Sequence, residues 1–379
     1  METKGIFKLN DRALMAAVLF LLASFFGTLF GATKVTSLAF TVSLAAVAGF
    51  YAYRCVCKRS ITWYFLITVL LAFLSLLLGV ISSRFEYFKP AIIFLCALAC
   101  IELAPDDGIS DNAKKLAVVS VMAASLVLIV YFHFFGLKDQ LYGSTDLVDM
   151  NFQNPNEAAL WIMCFIVTSV LGIGLFSNMY AKIAVGAVAV LLIPLLLATK
   201  SRNAMIACIF FVICYAVISF FKIRKVPKWT VAVAVISPLI VFAVYMMILN
   251  LLPEALDTVM GDDPSKILGS RAEMWAEVLE GFNSCFLFGN YGEFSDRQMH
   301  NSFATLFCQY GLPLLCAASC LMVSIANRMQ RRISIYATLA LCTLFVSGCF
   351  ETSLFGGVAG LYLMFFILPS CCKSRGCKE

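Results

Sequence analysis

Charge is what this chain has least of. Only 13% of its 379 residues are Asp, Glu, Lys or Arg, against about 25% in soluble domains. Soluble enzymes, disulfide-built secreted scaffolds and disordered chains are excluded on that ground. Histidine is nearly missing too. His133 and His300 are the only two, so a His-built metal centre cannot form. No internal repeat or low-complexity tract breaks the sequence, and acidic or basic residues are scarce in the centres of its apolar runs. Intramembrane charges mark ion and proton pathways, so their scarcity argues against a proton-coupled carrier. No paired, interrupted helices recur in two halves, as they do in many transporters.

Cysteine is plentiful at 16, but its placement removes the obvious readings. Ten cysteines fall inside apolar runs, five in short basic segments, and Cys285 stands alone in a long loop. Buried thiols of that kind behave as small hydrophobes. Cys371 and Cys372, beside a span in a basic tail, also fit acylation, though a packed thiol is the plainer reading. Asp262-Asp263 precede Pro264 in a turn-like setting and give little support to a metal.

What the chain has is apolar length. Hydrophobic residues make up 62% of it, and a membrane helix uses about 20 residues. Twelve stretches reach that length, near 13–31, 36–53, 61–82, 88–104, 116–136, 157–176, 181–198, 204–222, 229–251, 303–324, 333–350 and 353–369. The expectation is an all-α polytopic membrane protein, residues 1–379 forming a single transmembrane domain. The first stretch has no cleavage site and runs straight into the second, so it reads as a span and not as a removed signal.

Lys and Arg set the orientation. With the N-terminus inside, the 28 basic residues split nineteen to nine in favour of the inner segments. The positive-inside rule selects that arrangement, with both termini cytoplasmic. A net charge of +6 therefore reports topology and is no argument for nucleic acid. The long loops then lie outside, about 137–156 and about 252–302. The second, between spans nine and ten, is large enough for a structured element.

Within that loop, Ser270-Arg271-Ala272-Glu273 has the form of a capping box. Trp275, Val278, Leu279 and Phe282 follow at helical spacing. The pattern predicts an amphipathic helix lying flat on the membrane, apolar face down. Arg271 falls in its first turn, where the helix dipole disfavours a cation but free N–H groups favour an anion. A guanidinium fork there suits a phosphate; contact with Glu273 or a lipid headgroup is the simpler alternative.

Arg202 sits in Thr199-Lys200-Ser201-Arg202-Asn203, an outer turn between two apolar helices. It is either a second anion ligand, with Lys200 beside it, or a side chain snorkelling to headgroups. His300 precedes the span that starts near Asn301. An imidazole there faces the positive end of the helix and can take a proton from a hydroxyl nucleophile, or it can simply cap the helix. His133, between Phe132 and Phe134, reads as interfacial. Asn154-Pro155-Asn156-Glu157 carries helix-start chemistry. Glu351, in the last outer turn, is placed to orient a base or to be solvated.

Taken together, these residues resemble the O-antigen ligase and O-antigen polymerase superfamily of polytopic glycosyltransferases. The resemblance runs from Asn154 to Glu351; the first 150 residues match it in hydropathy alone. Four landmarks carry it in order: Asn154-Pro155-Asn156, Ser201-Arg202, the helix from Gly269-Ser270-Arg271 to Trp275, and His300-Asn301. In the ligases the last motif continues with nine residues, Gly, two residues, and Gly, Thr or Tyr. Here Gly311 fits and Leu314 does not, which tilts the reading from ligase toward polymerase.

The resemblance implies a donor glycan on undecaprenyl diphosphate, an acceptor glycolipid, a bacterial inner or plasma membrane, and no cofactor or metal. It implies that Arg202 and Arg271 hold the diphosphate, that His300 serves the acceptor hydroxyl, and that Asn301, Lys200, Glu351 and Asn154 bind substrate. It places the reaction in O-antigen, capsule or exopolysaccharide assembly, with inversion at the anomeric carbon. A glycolipid flippase or exporter is the alternative from another class; it would tolerate loss of His300.

Overall fold

The computed structural model describes residues 4–32, 77, 109–135, 155–251, 275, 278, 281–290, 294, 299–351 and 361–372. Among them every regular element is a helix. In chain order these are α1 (Lys4–Leu29), α2 (Asp111–Phe135), α3 (Pro155–Gly172), α4 (Met179–Ala198), α5 (Arg202–Phe220) and α6 (Lys228–Val235). Then follow α7 (Ser237–Leu251), α8 (Phe282–Cys285), α9 (Ser302–Arg332), α10 (Ile335–Ser347) and α11 (Leu361–Ser370). Six helices among the described residues are long and apolar enough to cross a bilayer, seven if α6 and α7 count as one bent span. The protein is a multi-pass membrane protein. Of the twelve expected stretches, those at 36–53, 61–82 and 88–104 lie outside the described residues, save Leu77.

The core is built around α3. Its residues from Ala158 to Ser169 are all buried, and it packs against α2, α4, α5 and α11. Trp161 and Phe165 of α3 close around Phe25 of α1, with ring centroids 5.4 and 5.0 Å away. Gly172 lets α2 approach α3, for a Cβ there would lie 2.6 Å from Val118 Cγ1. By contrast α4 and α5 turn Val190, Leu191, Ile209 and Ile213 outward. Apolar residues on all sides suit helices with one face on protein and the other on lipid.

Three expected spans differ from what the chain forms. The stretch 229–251 is not one helix: α6 and α7 meet at 59°. Pro238 has no N–H and crowds the carbonyl four residues back; Ser237 Oγ takes that carbonyl, Ala234 O, at 2.9 Å. The stretch 303–324 extends to Arg332, and its helix breaks at Gly311, with φ 83° and ψ 173°. The stretch 333–350 yields only the 13 residues of α10, about 20 Å at 1.5 Å per residue. That helix is buried along its length and packs against α5, α9 and α11.

Of the expected loop helix, Trp275 and Val278 are among the described residues, and both are covered by protein. Trp275 is fully buried and Val278 nearly so. Trp275 stands edge-on to Phe242 and Tyr245 of α7, and its Nε1 donates to Met299 O at 2.6 Å. The indole thereby anchors the loop to the residue before His300. Farther on, the segment 281–290 docks against the break in α9. Leu312 N–H donates to Phe286 O at 2.9 Å, Asn290 N–H to Cys308 O at 2.6 Å, and Gln309 Nε2 to Phe294 O at 3.0 Å. Gly289 and Gly311, both at positive φ, let the two backbones touch.

Candidate active site

The site grows from one turn. Residues 347–351 run from the last residue of α10 into the turn after it, where the helix's last carbonyls have no partner within the helix. Four of the turn's carbonyls are taken by side chains or backbone from far along the chain. Asn203 Nδ2 donates to Ser347 O at 2.5 Å, Ser302 N–H to Gly348 O at 3.0 Å, Asn301 Nδ2 to Cys349 O at 2.9 Å, and Ser302 Oγ to Glu351 O. The Ser201-Arg202 turn, the start of α9 and the end of α10 are thereby gathered at one end of the bundle.

Asn301 is the centre of this clasp. It is fully buried. Its Oδ1 accepts from Phe303 and Ala304 N–H at 3.0 and 2.9 Å, capping α9. Its Nδ2 reaches Cys349 O and, at 2.8 Å, Pro238 O at the α6–α7 bend. An amide has two donor hydrogens and two acceptor sites, and all four are occupied. Asn301 therefore acts on the site by holding its parts in place.

His300, one residue earlier, has φ 45°, a left-handed conformation that costs a non-glycine residue about 1–3 kcal/mol and is concentrated at functional sites. The imidazole is turned toward the turn: Nδ1 lies 3.6 Å from Glu351 Oε2, the two side chains being 20% and 10% exposed. That is ion-pair distance and slightly long for a hydrogen bond. Nδ1 is buried with no hydrogen bond among the described residues, and Glu351 is the carboxylate that faces it.

Arg202 begins α5 and is exposed; Ser201 before it and Asn203 after it are buried. Lys200, also exposed, adopts φ 52° after α4. The two cations flank a buried serine whose Oγ has no hydrogen bond among the described residues, as is true of Asn203 Oδ1. His300, Asn301, Glu351, Lys200 and Arg202 are therefore at one end of the molecule. Arg271 and Asn154 lie outside the described residues. Sequence reasoning missed Asn203, Ser302 and the 347–349 carbonyls as parts of this clasp. The one local signal available was the presence of the breakers Pro238 and Gly311-Leu312-Pro313 inside apolar runs.

Residues 187–319 match the family model of the O-antigen ligases. The matched segment runs from α4 into α9 and takes in Lys200, Arg202, Arg271, His300 and Asn301; Asn154 and Glu351 fall outside it. It supports the resemblance to the O-antigen ligase and polymerase superfamily read from the four landmarks. No curated protein and no solved structure matches the chain. The superfamily match and the apolar helices together describe a membrane protein of polysaccharide assembly.

Proposed function

We propose that this chain is an integral-membrane glycosyltransferase that polymerises undecaprenyl-diphosphate-linked oligosaccharide at the outer face of a bacterial plasma or inner membrane. The observation that carries the reading is the His300–Glu351 pair, 3.6 Å apart, at the same bundle end as Arg202 and inside a clasp that fixes both. The acceptor hydroxyl attacks the anomeric carbon from the face opposite the diphosphate. Its proton passes to His300, which Glu351 orients. The bond from the anomeric carbon to the diphosphate oxygen breaks, its electrons leave with the diphosphate, and the configuration inverts. Arg202 and Arg271 meet the charge that grows on the leaving group, in the manner of preorganised donors. Lys200 adds a further cation beside Arg202, and Asn154 binds substrate.

The ligase reading keeps the same donor chemistry and changes the acceptor to lipid A core or protein. The family description favours it, and Leu314 at the last position of the motif disfavours it. Glycan analysis of cells lacking the chain, beside cells carrying His300→Ala, separates the two. A polymerase defect leaves single repeat units on the final acceptor. Polymer accumulating on its polyprenyl carrier would establish the ligase instead. Normal glycan in His300→Ala cells would refute both.

A further inference from the structure

The turn that carries Arg202 holds two polar atoms that its own folding does not use. Thr199 Oγ1 donates to Leu196 O at 2.7 Å and accepts from Ser201 N–H at 3.3 Å. Ser201 O accepts from Met205 N–H at 3.2 Å, and Lys200 takes the left-handed conformation between Thr199 and Ser201. Ser201 is the N-cap of α5, where a serine oxygen usually accepts from an N–H of the first turn. Here its side chain makes no such cap. The hydroxyl has no hydrogen bond among the described residues, although Ser201 is only 3% exposed.

Asn203, two residues on, is also buried, and its amide is fixed in orientation. Nδ2 donates to Ser347 O at 2.5 Å. The flipped amide would set two acceptor oxygens at that distance, so the nitrogen faces the carbonyl. Oδ1 is thereby held as an acceptor, and it too has no hydrogen bond among the described residues. Buried polar atoms are nearly always paired. Two that are not, on either side of Arg202, call for a partner from outside the chain.

The chemistry of Oδ1 selects that partner. An amide oxygen accepts and never donates, so its ligand must bring a hydrogen. An ionised diphosphate brings none, and a polyprenyl chain has no polar hydrogen. A sugar has hydroxyls, and an N-acetylated sugar has an amide N–H as well. A serine hydroxyl both donates and accepts, so Ser201 suits the same ligand. We propose that Ser201 and Asn203 recognise the sugar joined directly to the diphosphate, Asn203 Oδ1 accepting from a hydroxyl or an acetamido N–H. The assignment rests on the transfer reaction proposed above, in which Arg202, the residue between them, holds the diphosphate of the donor.

The full-length protein in detergent micelles, titrated with three probes, tests it. These are undecaprenyl diphosphate alone and the same carrier bearing one glucose or one N-acetylglucosamine. The sugar should tighten binding over the bare carrier by about tenfold, the worth of two hydrogen bonds. Ser201→Ala should cut that gain about fivefold and melt no lower than the parent, because it breaks no hydrogen bond seen in the structure. Asn203→Ala should cut the gain at least as much and melt lower, through loss of the Ser347 contact. The ratio of sugar-bearing to bare carrier separates this from a general loss of folded protein. A gain with both sugars assigns the contact to a hydroxyl; a gain with N-acetylglucosamine alone assigns it to the acetamido N–H. Equal binding of bare and sugar-bearing carriers would overturn the proposal and leave the transfer reaction standing. So would a sugar gain that stays at the parent value in Ser201→Ala or in Asn203→Ala. Binding of none of the three probes would overturn the donor reading and this inference with it.

Discussion

Each end of the bundle is held by a buried side-chain amide, and the two amides are used differently. At the His300 end, Asn301 gathers α9, the α6–α7 bend and the turn after α10. At the other end, Gln330 grips both backbone groups of Val226, accepting its N–H at 3.1 Å and donating to its carbonyl at 3.2 Å, and it also donates to Asn327 Oδ1 at 3.2 Å. Around Gln330 the polar groups meet one another. Around Asn301 they do not: His300 Nδ1, Ser201 Oγ and Asn203 Oδ1 are buried without a hydrogen bond among the described residues. A buried polar atom left in that state loses about 1–3 kcal/mol of solvation. Three such atoms beside two exposed cations and two left-handed non-glycine residues accord with the proposed transfer site at this end, whereas Gln330 fastens a loop.

The largest effects should therefore come from the His300 end. Arg202→Ala and His300→Ala should each lower glycan transfer by about 10²–10³-fold at unchanged protein level, measured by polymer length in membranes. Full transfer by Arg202→Ala would remove it from the leaving-group role. Next come the glycines that let the loop enter α9. Gly289→Ala would drive a methyl group into the Gln309–Tyr310 peptide, and Gly311→Ala would put one 2.5 Å from Leu287 O. Both positions also need positive φ, so each variant should lose about 3 kcal/mol or more of stability, seen as a drop in the melting temperature in detergent.

The amides themselves sharpen the comparison. Asn301→Ala removes a helix cap and exposes two buried carbonyls to no donor, a loss of about 2–4 kcal/mol. Gln330→Ala removes a loop fastening and should be milder, about 1–2 kcal/mol. Equal melting shifts, with transfer activity lost in both, would show that the two ends are not separable. The smallest effect is a silence. Cys371 and Cys372 are 0% and 2% exposed, and burial pushes both thiols up, Cys372 to about 12 despite a hydrogen bond to Ser334 and the nearby Lys114 charge. The thiolate is the reactive form, so its population grows only as pH rises toward that value. At pH 8 neither should react with maleimide or carry an acyl chain; labelling or an acyl mass on either would show that this end of the bundle opens.

Several helices were legible in the sequence because lipid leaves a chain few options: backbone groups must be satisfied within the segment, and apolar length alone then finds α2, α3, α4 and α5. The helix-start chemistry at Pro155 and Glu157 was equally local. What periodicity cannot tell is which material covers an apolar face. Trp275 and Val278 have the spacing of a surface helix on lipid, yet their cover is Phe242, Tyr245 and the rest of the core. The clasp was opaque for a related reason. Asn203 and Ser347 are 144 residues apart, and nothing near either in sequence announces the other. Pro238 and Gly311 lie inside stretches that read as unbroken; Ser237 repairs the first break locally, while Phe286 O, which repairs the second, comes from outside the helix.

The break in α9 bears on how the chain is made. Leu312 lies ten residues beyond Ser302, about 15 Å along the helix, and its N–H is satisfied by Phe286 O. A helix with a gap there cannot complete its bonding from its own residues. Its partner segment precedes it in the chain, so during synthesis the 281–290 stretch leaves the ribosome first and is available when residues 302–332 arrive. The biogenesis of this span is therefore a two-body event: the loop acts as the template on which the upper half of the helix finishes folding.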